Sequence, residues 1–284
     1  MKHRKQLENL SRILENMESV VVAFSGGCDS TLVLKVAHDV LGKGAVAATA
    51  VSPAVAASEV GESRRIAAQI GADHHLLRAE TMENPGFHEN SPMRCYTCKS
   101  DLYKHLADLA QKLGIPNLAN GTNRDDLGDF RPGLKAAREF GVRSPLLEAD
   151  LKKTDVRNIS RELGLPTWDK PADACLSSRV PFGTPITEAR LGRVETAEEI
   201  LKREGFRQVR VRFHSDVARI EIPPEEFTRI LNSEIRTRIV EEIKKTGFRH
   251  VAIDLSGYRQ GSLNPEEYRG ETGKVSREGS NEGN

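Results

Sequence analysis

Apolar residues recur along this chain in two rhythms, and the change between them divides it. The run VVVAF at residues 20–24 is continuously apolar and predicts a buried strand, while residues 29–41 carry helical spacing that stops at Gly42. A second apolar run at 45–51 leads into a helix over 58–70 closed by Gly71, then a short strand near 74–77. Residues 101–113 again have helical spacing, Gly114-Ile115-Pro116 breaks it, and 117–120 supply another strand. Strands alternating with helices predict an α/β fold, a doubly wound and mostly parallel sheet with helices on both faces. In such sheets ligands bind beyond the carboxyl ends of the strands.

After about Pro181 the pattern shifts. Residues 187–203 are helical, 208–214 alternate strictly, 217–222 form a strand, 233–245 a helix and 250–255 a last strand. This predicts a second, smaller α+β domain with antiparallel pairing. From Asn264 onward the chain is polar and glycine-rich, with too little apolar surface to offset ordering entropy. The division expected is residues 1–180, residues 181–262, and a disordered tail at 263–284.

Composition narrows the function. With 42 basic and 41 acidic residues the net charge is +1, which argues against strong nonspecific binding to nucleic acid. No apolar run approaches a membrane span, and the N-terminal MKHRKQLENLSRILENM reads as an amphipathic helix rather than a signal peptide. Cys28, Cys95, Cys98 and Cys175 do not make a secreted disulfide framework, so a cytoplasmic setting is expected.

The stretch SGGCDS, between the first strand and its helix, has the properties of an anion site. Gly26 and Gly27 let backbone N–H groups converge on phosphate oxygens, and Ser25 and Ser30 add hydroxyls. Asp29 can hold a magnesium ion or cap the helix. A plain tight turn would account for two glycines alone, but Ser-Gly-Gly-x-Asp-Ser is more specific and resembles the PP-loop of ATP pyrophosphatases. That resemblance implies ATP cleaved between its α and β phosphates, an adenylated substrate and released pyrophosphate. The lysine of kinase-type P-loops is not needed for such chemistry. NGTNRDD, at the end of another predicted strand, offers Gly121, Asn123, Arg124 and Asp125. The same resemblance turns it to the nucleotide, with Arg124 on the α-phosphate.

Cys95 and Cys98 form a CxxC pair, and Cys175 lies in ACLSSRVPFG. On residues alone the pair suits structural zinc, a redox disulfide or iron–sulfur ligation. Zinc lacks a clear fourth ligand, since His74, His75, His88 and His105 read as surface or helix-face residues. A thioredoxin-like CxxC should open a helix directly after a first strand. Three cysteines leave one iron of a [4Fe–4S] cube free of a protein ligand, a position open to sulfide.

From about residue 5 to about residue 260 the chain resembles the LarE family, ATP-dependent sulfur transferases that thiolate the nickel-pincer nucleotide precursor. The resemblance rests on SGGCDS, CYTCKSDLY, NGTNRDDLGDFRPG, SPLLEADLKKTDVR and ACLSSRVPFGTPIT in this order. It implies ATP, magnesium and a small mononucleotide substrate, a homo-oligomer, and a sulfur carried through Cys175. In some members that cysteine loses its own sulfur. In others, cysteines matching Cys95, Cys98 and Cys175 hold a [4Fe–4S] cluster, and this chain has all three. Ser178 and Arg179 are expected to orient or charge-stabilise the sulfur step, or simply to anchor the loop. In QVRVRFHSD, Arg210 and Arg212 are read as binding the anionic mononucleotide, with Glu221 and Glu199 balancing charge or holding a metal; a solvated basic strand face is the simpler account. A tRNA thiolase and an amide synthetase of the NAD or GMP synthetase type are the alternatives.

Overall fold

The computed structural model describes residues 3–128, 132–171 and 174–259. The tail at 263–284 lies outside the described residues. A first helix, α1 (Arg4–Glu15), precedes β1 (Val20–Ala23), α2 (Cys28–Leu41), β2 (Ala45–Val51), α3 (Ala57–Ile70) and β3 (Asp73–Arg78). Then come α4 (Pro85–His88), α5 (Arg94–Leu113) and β4 (Asn117–Ala119), followed by α6 (Pro132–Glu139), α7 (Pro145–Glu148) and α8 (Lys153–Glu162). The four strands pair in the order β3-β2-β1-β4, all parallel.

The continuous apolar run of β1 has a direct cause. Val20 and Val22 join Leu10, Leu14, Leu32 and Val33 in one core, while Val21 joins Tyr103, Leu106 and Ala110 in the core on the opposite face. A parallel strand covered on both sides has no wet face, so neither half of its pleat is polar. The fold is α/β, as the sequence predicts.

The strand order also fixes where a ligand can go. The chain steps from β1 to β2 to β3 on one side, then returns to place β4 on the other side of β1. The carboxyl ends of β1 and β4 therefore lie side by side where the strand order reverses, with Val22 in register with Ala119. A crevice at such a switch point is the usual ligand site of an open α/β sheet. SGGCDS leaves β1 there and NGTN leaves β4 there.

Beyond them α9 (Glu188–Arg203), β5 (Arg210–His214), β6 (Val217–Glu221), α10 (Phe227–Ile230), α11 (Ser233–Lys245) and β7 (His250–Ile253) surround a second sheet. Thr187 and Asn232 accept backbone N–H groups at the starts of α9 and α11, the caps their side chains favour. β5 and β6 are antiparallel as expected, but β7 lies parallel to β6. The intervening α11 acts as a crossover, which lets a strand return in the same direction. The core beneath this sheet reaches back to Ala54, Phe87, Leu176 and Val180. Among the described residues no helix is long and apolar enough to cross a membrane.

One helix begins well before its expected start. Spacing predicts 101–113, whereas α5 starts at Arg94. Cys, Tyr and Thr have middling helix propensity and conceal the first two turns. The CxxC pair therefore lies inside the helix, and its i,i+3 spacing puts both thiols on one face.

The close approach of the two switch-point loops depends on Gly121. A Cβ there would lie 2.8 Å from the Ser30 nitrogen and 3.0 Å from the Asp29 carbonyl carbon, both backbone atoms of α2. Gly121→Ala is expected to destabilise the fold by about 1–3 kcal/mol, as overpacking does. A lowered urea midpoint at unchanged slope would register it, and an unchanged midpoint would contradict this account.

Candidate active site

The phosphate-type loop is closed on itself. Gly26 has φ +69°, and a Cβ on it would come within 3.2 Å of the Ser63 Cα in α3. Its neighbours are bound by short-range polar contacts: the Ser25 N–H donates to Ser30 Oγ at 3.2 Å, the Gly27 N–H to Ser25 Oγ at 3.3 Å, and the two hydroxyls stand 3.1 Å apart. α2 starts after Gly27 with no side-chain cap, leaving its first-turn N–H groups to other acceptors. Asp29 is not the N-cap. It lies in the first turn, and its carboxylate accepts from Asn123 Nδ2 at 3.1 Å and pairs with the Lys153 ammonium.

The loop after β4 is ordered in the same way. The Asn123 N–H donates to Asp126 Oδ2 at 2.9 Å, and Asp125 Oδ2 accepts from the Lys153 N–H at the start of α8, also at 2.9 Å. Arg124 is exposed, and its Nη1 reaches both Asp150 oxygens at 2.6 and 2.7 Å. Gly121, Asn123, Asp29 and Ser30 thus meet at the crevice, with Arg124 on its open side. Cys28, the odd residue of the glycine loop, is buried in the core with its sulfur 3.7 Å from Ser160 Oγ. Burial pushes its thiol pKa up.

The other three cysteines form a group. Cys98 is half-buried against the second core, Cys95 is solvent-accessible, and Cys175 sits before the 3-10 turn Leu176–Arg179. Burial, with a smaller push from the nearby Cys175 and Cys95 against the pull of Lys99, raises the Cys98 thiol to about 12. Cys95 is raised as well, by crowding from surrounding protein and then by Cys175. Lys99 stands beside them: desolvation opposes its charge, but Tyr103 and the three thiols outweigh that and raise its pKa. Gly133 leaves room for the lysine stem, since a Cβ there would be 2.9 Å from Lys99 Cγ. Among the described residues no His, Cys, Asp or Glu group is arranged to hold a metal ion, and all four cysteines are free.

Two anchors hold the Cys175 loop, one to α5 and one to α9; the sequence offers Arg179 as an anchor but not Asn90. Asn90, fully buried at φ +57°, donates to the carbonyls of Val180, Pro181 and Thr184 at 3.3, 2.8 and 2.9 Å. Its Oδ1 accepts from Arg94, whose guanidinium lies 4.4 Å from the Phe182 ring. Asn90 therefore ties the chain after Cys175 to the first turn of the CxxC helix. The second anchor is Arg179, 2% exposed, which forks onto Glu198 at 2.8 and 3.0 Å. Its Nη1 donates to the carbonyls of Ala174 and Cys175 and to Ser178 Oγ. Arg179 thus fills the loop-anchor role. Ser177, which sequence reading passed over, is the closest polar partner of the Cys175 sulfur at 2.8 Å.

Arg210 and Arg212, expected to bind substrate, are 3% and 5% exposed, so the simpler account of a solvated basic face on β5 does not hold. Arg212 donates to the Ser178 carbonyl at 3.0 Å and to Glu221 at 2.7 Å, and Arg219 holds the other Glu221 oxygen at 2.9 Å. Arg210 donates to the Val209 carbonyl at 2.7 Å and lies 5.3 Å from the Tyr258 ring. Glu221 balances the Arg212 charge as anticipated, whereas Glu199 is exposed and the buried acid of α9, Glu198, pairs with Arg179 instead. The helical phase carried that signal: Glu198 shares the buried stripe of Leu191, Val194 and Leu201.

Comparison with known proteins follows from this geometry. No protein-family model matches the chain. It is 47% identical over 259 residues to the uncharacterised protein slr1717 of Synechocystis, covering 91% of this chain and 97% of that one. It is 41% identical over 252 residues to the pyridinium-3,5-bisthiocarboxylic acid mononucleotide synthase of Lactiplantibacillus plantarum, covering 88% of this chain and 91% of the relative. A tRNA-specific 2-thiouridylase MnmA of Rickettsia felis is 25% identical over 230 residues, 68% of this chain and 63% of that enzyme.

The raised thiol has a consequence for stability. Between about pH 9 and about 12 the unfolded chain releases the Cys98 proton while the folded chain retains it, so stability falls as pH rises through this window. Urea denaturation of reduced wild type and Cys98→Ala across that range is expected to give a steeper decline for the wild type. Parallel profiles would contradict the raised thiol.

Proposed function

The chain belongs to the pyridinium-3,5-bisthiocarboxylic acid mononucleotide synthase (LarE) family of PP-loop enzymes, and from that premise we propose that it is an ATP-dependent sulfur transferase acting on a pyridinium biscarboxylate mononucleotide. The observation that carries the reading is the nearness of Cys95, Cys98 and Cys175, close enough to raise one another's thiols, in a chain that also bears a glycine loop at the switch point. Residues 1–180 do the nucleotide and sulfur chemistry, and residues 181–262 contribute substrate contacts and oligomer surfaces in a cytoplasmic enzyme.

A carboxylate is a poor electrophile, so the substrate is activated first. ATP binds along Ser25, Gly26, Gly27 and Ser30, with Arg124 turning from Asp150 to the α-phosphate; Asp29, paired with Lys153 in the empty site, would hold magnesium, which would screen phosphate charge. The substrate carboxylate attacks the α-phosphorus, giving an acyl-adenylate and pyrophosphate. Hydrogen-bond donors of the loop and of the α2 N-terminus neutralise charge on the departing pyrophosphate. A sulfur nucleophile then attacks the acyl carbon and expels AMP. Ser177 Oγ can donate to the Cys175 sulfur as a thiolate, and Arg179 keeps the Cys175 carbonyl in place. The Arg212–Glu221 network, joined to the Ser178 carbonyl, borders the substrate side.

Three cysteines are the donor type of an iron–sulfur cube, although in this arrangement of the described residues they are not set to hold a metal ion. Cys95, Cys98 and Cys175 would hold a [4Fe–4S] cluster, which when bound supplies sulfur at an iron free of protein ligand. The other source is the Cys175 sulfur itself.

Incubation with ATP, magnesium and the mononucleotide is expected to yield AMP, pyrophosphate and a product with sulfur in place of a carboxylate oxygen. Cys175→Ala is expected to keep pyrophosphate release and lose the thiocarboxylate, read by mass spectrometry. Thiocarboxylate formed by Cys175→Ala would overturn the assigned sulfur route, and thiolated tRNA would overturn the substrate. The mass of Cys175 after turnover separates the two donors: loss of its sulfur identifies the side chain, an intact thiol the cluster.

A further inference from the structure

The glycine loop carries no cation of its own. Asp29 is the only charged residue between Ser25 and Ser30, so a triphosphate seated there meets backbone N–H groups and hydroxyls but no ammonium. P-loop enzymes place that ammonium within the motif itself. In this fold it arrives from a distant part of the chain. Lys170 lies between α8 and Cys175, and its Nζ donates to the Gly26 carbonyl at 3.3 Å and to Glu62 Oε2 at 2.5 Å. Its side chain is only 15% exposed. The backbone around it is clamped by Arg157 of α8, which donates to the Trp168 and Lys170 carbonyls, each at 2.8 Å.

Structure alone is a weak reason for this arrangement. Ordering a lysine stem costs side-chain entropy. An ion pair to Glu62, 34% exposed, returns little of it. A cation held at that cost against the carbonyl of a phosphate-loop glycine is well placed for an anion. Lys153, the other lysine at the crevice, is committed differently, because its ammonium lies on the Asp29 carboxylate. The two lysines thus divide the work: Lys153 stands where a magnesium ion would neutralise Asp29, and Lys170 stands at the turn that receives phosphate.

We propose that Lys170 is a phosphate-binding residue of the nucleotide site, its ammonium turning from the Gly26 carbonyl to the β- and γ-phosphate oxygens of ATP. Glu62 is its partner while the site is empty. The lysine missing from the loop's sequence is thereby restored in space. This inference rests on the ATP-binding reading of the site.

The test is calorimetric titration of wild type, Lys170→Met and Lys170→Arg with three magnesium-saturated probes: α,β-methylene-ATP, inorganic pyrophosphate and AMP. Lys170→Met is expected to weaken the triphosphate and pyrophosphate by about tenfold or more, the loss of a charge-assisted contact, and to leave AMP within about threefold. Lys170→Arg is expected to recover most of the loss. Wild-type affinity for the triphosphate in Lys170→Met would overturn the proposal. So would equal weakening of all three probes, which would mark a scaffold role felt through Gly26. A wild-type protein that binds none of the probes would overturn the ATP reading itself, and this inference with it; a wild type that binds the triphosphate while Lys170→Met binds it equally well refutes Lys170 alone.

Discussion

The Arg179 guanidinium, almost wholly out of water, holds together parts of the molecule that share no secondary structure. On one side it meets Glu198 of α9, whose Oε1 also accepts the Val211 N–H of β5 at 2.9 Å. On the other it donates to the carbonyls of Ala174 and Cys175, the peptide groups before and after the Cys175 Cα. Taking both charges out of water is costly, and removing either partner would strand the other, a loss of about 3–5 kcal/mol. A rigid fork satisfied at several acceptors is the arrangement in which arginine outperforms lysine. The second core, the 3-10 turn and the thiol therefore move as one piece.

What was legible in the sequence follows from what dominates locally. β1 and most of β2 are buried on both faces, so their apolar runs stand out, and glycines close α2, α3 and α5. Those elements could be read to within a residue or two at most ends. The start of α5 could not, because its first two turns are stabilised by what they touch, Arg94 on Asn90 and Cys98 on the second core, rather than by composition. The direction of β7 was equally hidden, since local alternation is the same in parallel and antiparallel strands.

The site divides along the same line. Residues within one short motif, such as Ser25 to Ser30, were identified together because the motif is a single local structure. Contacts made across the fold were not: Glu198 with Arg179, Asn90 with the turn after Cys175, and Lys170 with Gly26 are each separated by long stretches of chain. Alternation in β5 marked Arg210 and Arg212 as polar positions but was silent on whether the polar face met water. It meets Glu221 and the Ser178 carbonyl instead.

The position of the CxxC pair inside α5 has a further consequence. Cys95 and Cys98 are spaced by helix pitch, a local property available as soon as that helix forms. Cys175 has no such local guarantee: its place depends on Arg179, which ties its carbonyl to Glu198 of α9, and on the turn that Asn90 holds. Loosening α9 would therefore leave the helical dithiol intact and displace the third thiol alone.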